Sequence, residues 1–234
     1  MTEPQPFRHL LPLYAVIFLG FAGFALTITL FIPMLMDNQF QLLPKDASSS
    51  LRASLSGLLL AMYPLGQFFG SPIIGNLSDH FGRKIILIIS LLACAAGFVL
   101  MALSIHFHQL YLLFLSAFFT GLCESNMAIS QAIIADRTED VVYKTKLMGY
   151  VYSACSLGYV VGPLFAGLAG TFGDYSAPFW ITGFVALLVL GWIYYGFKDT
   201  YVPNKDTSIT LMKSLTSIKS LFNQPKFYKY YIIN

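Results

Sequence analysis

GNLSDHFGRKII, residues 75–86, gathers Asp79, His80, Arg83 and Lys84 into one short turn between two long stretches that are almost wholly apolar. The chain as a whole is 56% hydrophobic and only 11% charged, with a mean hydropathy of +0.67. That is far outside the range of soluble proteins. Charge-poor runs of about 20 residues, enough to cross roughly 30 Å of hydrocarbon as helix, fall at 13–36, 55–77, 85–105, 109–134, 147–171 and 177–197. Each must be helical, because a backbone in lipid has no water to bond to. The runs are also too uniformly apolar for the alternating strands of a barrel.

The first run is longer than the apolar region of a cleavable signal and has no small-residue cleavage site behind it, so it reads as a retained anchor. Lysine and arginine counts set the orientation. Lys45 and Arg52 lie in the 37–54 loop, whereas the other twelve, from Arg8 through Arg83, Lys84, Arg137, Lys144 and Lys146 to the six lysines between Lys198 and Lys229, lie on the opposite side. Both ends of the chain are therefore expected in the cytoplasm. The net charge of +3 is a topology signal and not a nucleic-acid footprint. Cys94, Cys123 and Cys155 fall inside apolar runs without CxxC spacing and read as small core residues.

Residues 1–12 form a short head, 13–197 the six-span bundle, and 198–226 a polar linker between Pro203 and Pro225. Within the linker, Leu211, Leu215, Ile218 and Phe222 recur at helical spacing, which predicts a short amphipathic helix along the membrane face. Residues 227–234, FYKYYIIN, begin a new aromatic and apolar run, the start of a seventh span.

Three constellations carry chemistry. The opening turn reads Gly75-x-x-x-Asp79-His80-x-Gly82-Arg83-Lys84. Glycines there permit a tight turn and close helix approach, and an acid can face a helix N-terminus, whose unpaired N–H groups favour negative charge. A positive cluster with a glycine turn would explain the basic pair but not Asp79 between two spaced glycines. The fifth run holds Gly149, then Gly158, Gly162-Pro163 and Ala166-Gly167. Gly158 and Gly162 are one turn apart, which lets a neighbouring backbone come close in lipid, and Pro163 removes a helix bond; a plain packing face with a kink is the alternative. Glu124 is the ionisable acid deep in a span. An acid at that depth faces protein or water rather than lipid. Ala117, Gly121, Glu124, Ala128, Gln131 and Ala135 follow four-three spacing, one stripe of small or polar residues on one face. Glu124 is thus a candidate proton site or counter-charge to a cationic substrate, or else a packing acid bonded to Ser125 or Asn126. Tyr63, Gln67, Asn126, Gln131 and Tyr152 are candidates for the surrounding wall.

The turn resembles the signature G-x-x-x-D-[RK]-x-G-[RK]-[RK] of the major facilitator superfamily, with His80 departing at the first basic position. The fifth run resembles that family's antiporter motif, G-x(8)-G-x(3)-G-P-x(2)-G-G, with Ala166 replacing one glycine. The resemblance implies an all-α membrane protein, six transmembrane helices forming one half, as 3+3 inverted repeats, of a twelve-helix fold. It implies a charge relay and cytoplasmic gate of Asp79, Arg83 and Asp136, the last at the end of AIIAD in span four. It further implies proton-coupled efflux of small lipophilic or cationic compounds by alternating access, as in exporters related to tetracycline resistance. The setting would be the cell membrane, the inner membrane of a bacterium. Many such exporters carry an arginine where this chain has Ala117. The partners implied are a small-molecule substrate, protons, the bilayer, and a second half, whether the missing C-terminal half or a second copy.

Uptake of a nutrient or iron chelate, and a non-transporting six-span membrane protein, are the competing readings. The sequence holds no G-x-x-x-x-G-K-[ST] loop, G-x-S-x-G or H-E-x-x-H and no carrier repeats. Neither an enzyme nor a cofactor or metal site is expected.

Overall fold

A computed structural model describes residues 9–197, apart from 38, 39, 41, 45, 137–139 and 173. The expected linker and seventh span lie outside the described residues. Among the described residues seven helices follow one another: α1 Leu11–Met36, α2 Ser49–Phe81, α3 Arg83–His106, α4 Leu110–Cys123, α5 Asn126–Ala135, α6 Val141–Phe172 and α7 Ala177–Gly196. Taken together as Leu110–Ala135, α4 and α5 make one of six spans long and apolar enough to cross a membrane.

Local chemistry sets the ends. Proline in the first turns of α1 and α7 is preset for helix entry. The Ser48 hydroxyl accepts the Leu51 N–H to start α2. Gly82, at φ 102, makes the sharp reversal into α3, in a region that favours glycine. Spans two and five exceed the apolar runs at 55–77 and 147–171 because α2 and α6 carry polar turns past them.

The packing has an internal symmetry. The largest helix contacts are α1 with α6, α2 with α4, α3 with α4 and α3 with α7. Exchanging the first three spans for the last three turns the α1–α6 pair into the pair of span four with α2, and α3–α7 into itself. Two inverted three-helix repeats account for this pattern.

Two apolar layers fill the interior. Leu13, Ile17, Leu87, Ile134 and Ile193 belong to the layer near the 75–86 turn. Phe31, Leu59, Phe98, Met101 and Phe179 belong to the layer at the opposite end. Large apolar side chains on α3 and α7, Ile85, Ile89, Leu188 and Trp192 among them, remain exposed, as a lipid-facing surface requires. The three cysteines are free and buried.

Candidate functional site

Span four breaks at Glu124 and Ser125, where the bond ladder tightens. The Glu124 N–H is shared between the Thr120 and Gly121 carbonyls, and Met127 and Ala128 N–H groups reach back only three residues, to Glu124 and Ser125. Small residues hold α4 against its neighbours on one side of this break. A methyl group added at Gly121 would collide with the Tyr63 backbone, and one at Gly66 or Gly70 with the backbone of α4. A methyl group at Gly97 of α3 would meet Thr120, first its hydroxyl.

The Glu124 side chain is fully buried. Gln67 Nε2, from α2, donates to its Oε2 at 2.9 Å; this bond comes from another helix and not from the adjacent Ser125 or Asn126. Its Oε1 has no hydrogen-bond partner and lies 3.4 Å from where a Cβ on Gly20 of α1 would stand. The Tyr63 hydroxyl neighbours the carboxyl without closing a hydrogen bond, and Asn126 Oδ1 and Ser130 Oγ are also unpaired. Buried polar atoms are ordinarily paired. Four unpaired ones around a helix break therefore mark a place where the fold leaves hydrogen-bonding capacity unused.

A cavity of about 190 Å³ opens beside the carboxyl. Gln67, Glu124 and Gln131 line it, as do Phe21, Ser71, Ser125, Met127 and Ala128. Ser71 and Ser125 hydroxyls lie 3.3 Å apart across it. Of the wall residues expected from sequence, Tyr63 and Asn126 are buried behind the cavity, and Tyr152 is 71% exposed and outside its lining. Tyr152 sits on a different face of α6 from the one that meets α1, a distinction that one span read alone does not make. Phe21, Ser71 and Gly20 escape a sequence reading because their relevance arises only from helix approach. In the small-residue stripe, Ala117, Gly121 and Glu124 are buried, whereas Ala128 and Gln131 face the cavity. Ala117 is wholly enclosed among apolar residues.

At the end of the bundle that carries the 75–86 turn, Arg83 lies between two acids. Its guanidinium is 3.8 Å from Asp79 and 2.5 Å from Asp136, which is more than half exposed. Lys84, a candidate gate residue on sequence, reaches towards α7. Its ammonium donates to the Tyr194 and Phe197 carbonyls at the end of α7 and stands 5.9 Å from the Tyr194 ring centre. A cation there complements the negative end of the helix dipole. His80 turns its ring edge on Phe81.

The glycines of span five divide. Added methyl groups at Gly158 and Gly162 would strike the backbone of α1 at Phe18 and Ala22, so these two set the α1–α6 approach. At Gly149, Gly167 and Gly75 an added Cβ would meet nothing within 4 Å. α6 continues through Pro163 to Phe172.

At the opposite end Arg52, counted on sequence only as a loop charge, is 4% exposed. It donates to the Leu35, Pro44 and Ala47 carbonyls at 2.9, 3.0 and 3.4 Å. The turn into α7 is organised by Asp174, whose carboxylate accepts from Ser176 Oγ and N and from Ala177 N. The Ser176 hydroxyl above all, with those amides, holds it below the usual aspartate range.

A family model described as Major Facilitator Superfamily matches residues 10–234. The chain is similar to the class B tetracycline resistance protein of Escherichia coli, with 30% identity over 200 residues, 83% of this chain and 49% of that protein. It is similar to the class D protein of Salmonella ordonez, with 30% identity over 209 residues, 85% of this chain and 51% of the relative. The chain thus spans about half the length of the curated relatives it matches. Among solved structures, the human organic anion transporter MFSD10 superimposes with a TM-score of 0.71 at 19% identity, covering 91% of this chain and 53% of the other. The POT family transporter PepTSo gives 0.72 at 16%, covering 86% and 40%. With six spans in symmetric packing, the glycine turn and a family match over nearly the whole sequence, the chain belongs to the Major Facilitator Superfamily.

Proposed function

We propose that this chain works as the N-terminal half of a twelve-span secondary transporter that exports small lipophilic or cationic compounds in exchange for protons. The other half is a C-terminal bundle or a second copy. Both ends of the chain and the 75–86 turn face the cytoplasm of a bacterial cell, in keeping with the lysine and arginine distribution.

One observation carries the reading: a fully buried carboxyl at mid-span, bonded on one oxygen and unpartnered on the other, borders a cavity of amide, hydroxyl and aromatic groups. Such an acid can accept a proton, or pair with a cation when it has none. The protonated form needs no counter-charge, so proton and cationic substrate compete for one group, which is the logic of exchange. Asp79, Arg83 and Asp136 act as the cytoplasmic gate. Gly158, Gly162 and Pro163 act at the α1–α6 seam as the bending element. The similarity to tetracycline resistance proteins makes tetracycline the first compound to try.

The test uses the full-length protein in proteoliposomes with an imposed proton gradient and two probes, tetracycline and ethidium. Transport against the probe gradient, steeply pH-dependent and flattened in Glu124→Gln, is expected. If neither probe moves, export of this class is wrong. An unchanged pH profile in Glu124→Gln returns the acid to a packing role, and net accumulation in the import direction puts uptake in place of efflux.

A further inference from the structure

We propose that α5 is a hinged lever that couples the occupancy of Glu124 to the Arg83–Asp136 contact. The idea rests on the reading of Glu124 as the group that binds proton or cation.

Three observations lead to it. The span is interrupted at Glu124 and Ser125, so α5 is a separate ten-residue rod with Glu124 two residues before its first residue, at the end of α4, and Asp136 just after its last. The two rods are held differently. Glycine contacts with backbone on the other side clamp α4 to α2 at Gly66, Gly70 and Gly121. Among the described residues no such glycine contact with backbone is found on α5, which packs instead through the side chains of Ile129, Ile133 and Ile134 and meets Gly20 through the flexible Met127 side chain. Finally, Asn126 Oδ1 and Ser130 Oγ, one helical turn apart on α5, are buried without a partner, as is Glu124 Oε1. A rod that buries unused polar groups at its pivot has hydrogen bonds to gain in a second position. Asn126 and Ser130 are positioning residues for that position.

The geometry sets the scale. Ten residues at about 1.5 Å each give a lever of about 15 Å, so a tilt of about 6° moves its tip by about 1.5 Å. That is enough to carry the Asp136 carboxylate from 2.5 Å to the limit of an ion pair. A tilt of about 20°, ordinary for a broken helix, moves the tip by about 5 Å. No rearrangement of α4 is needed, so the welded part of the span stays put while the gate opens.

The experiment measures spin-label distances in the full-length protein in nanodiscs, at pH values on both sides of the transport optimum. Ala132→Cys on α5 is paired in turn with Ile89→Cys on α3 and Tyr152→Cys on α6. Ile89→Cys with Leu115→Cys, between α3 and α4, serves as the fixed reference. At least one α5 distance should shift by about 3 Å, the displacement at residue 132 for that tilt, while the reference pair holds. The shift should vanish in Glu124→Gln. Hydrogen exchange across 124–131 in the unlabelled protein is the second measurement and should change with pH in the same way. Constant α5 distances and exchange in a protein that still transports overturn the lever and leave the transport reading standing. A shift in a protein that moves neither probe supports the lever and overturns the transport reading. A shift retained in Glu124→Gln breaks the coupling and overturns the proposal.

Discussion

Gly121→Ala puts one methyl group where the structure has backbone. The new Cβ would press on the Tyr63 carbonyl, carbonyl carbon and Cα of α2, and a backbone carbonyl within a helix cannot swing aside as a side-chain end can. The helices must part. Overpacking of this kind costs about 1–3 kcal/mol. A separation of about 1 Å also stretches the Gln67–Glu124 bond from 2.9 Å past the usual hydrogen-bond range, which forfeits about 1 kcal/mol more. Alanine returns up to about 1 kcal/mol in helix propensity, so the net loss is about 1–3 kcal/mol. Gly191→Ala on α7 is the control, since its added Cβ meets nothing within 4 Å; it keeps the propensity gain alone. Thermal unfolding of the purified full-length protein in detergent, followed by tryptophan fluorescence, should rank Gly121→Ala below wild type and Gly191→Ala at or above it. Efflux should fall in the first and persist in the second. A Gly121→Ala protein that melts with wild type and transports normally would refute the claim that α2–α4 contact positions Glu124.

Arg52→Ala leaves three carbonyls, including one in the last turn of α1, without their donor. The expected loss is about 1–3 kcal/mol, read as a lower melting temperature and faster proteolysis of the 37–48 loop. Asp136→Asn removes an ion pair to a half-exposed acid, so stability should change by less than about 0.5 kcal/mol. Labelling of Gln131→Cys by an impermeant maleimide from the side of the 75–86 turn should nevertheless speed up; equal rates would remove the ion pair from the gate. The lowered Asp174 carboxylate contributes stability above the ordinary aspartate pKa, near pH 4, and that contribution is lost as pH falls through its lower folded value. Asp174→Asn should therefore flatten the acid limb of stability between those two values and leave the neutral-pH curve parallel to wild type.

What a linear reading captures here follows from the solvent. Lipid forces every unpaired backbone group into a helix, so six apolar runs already specify six spans, and 75–86 specifies the reversal between the second and third. Gly82 could be named in advance because a sharp turn demands its φ, whereas Asp79, Arg83 and Asp136 are named together only through the resemblance to the family's signature. Contacts between helices obey a different physics. Whether a glycine is an interface or a bare surface depends on which neighbour passes within a few ångströms, which is why Gly158 and Gly162 seat α1 while an added Cβ at Gly149 would meet nothing within 4 Å. The break at Glu124, the Gln67 donor, the α7 anchor of Lys84 and the burial of Arg52 all depend on partners far away in sequence. Hydrophobicity is a property each residue carries along the chain, but an unpaired oxygen, a cavity or a hinge is a relation among residues that exists only once the helices are packed.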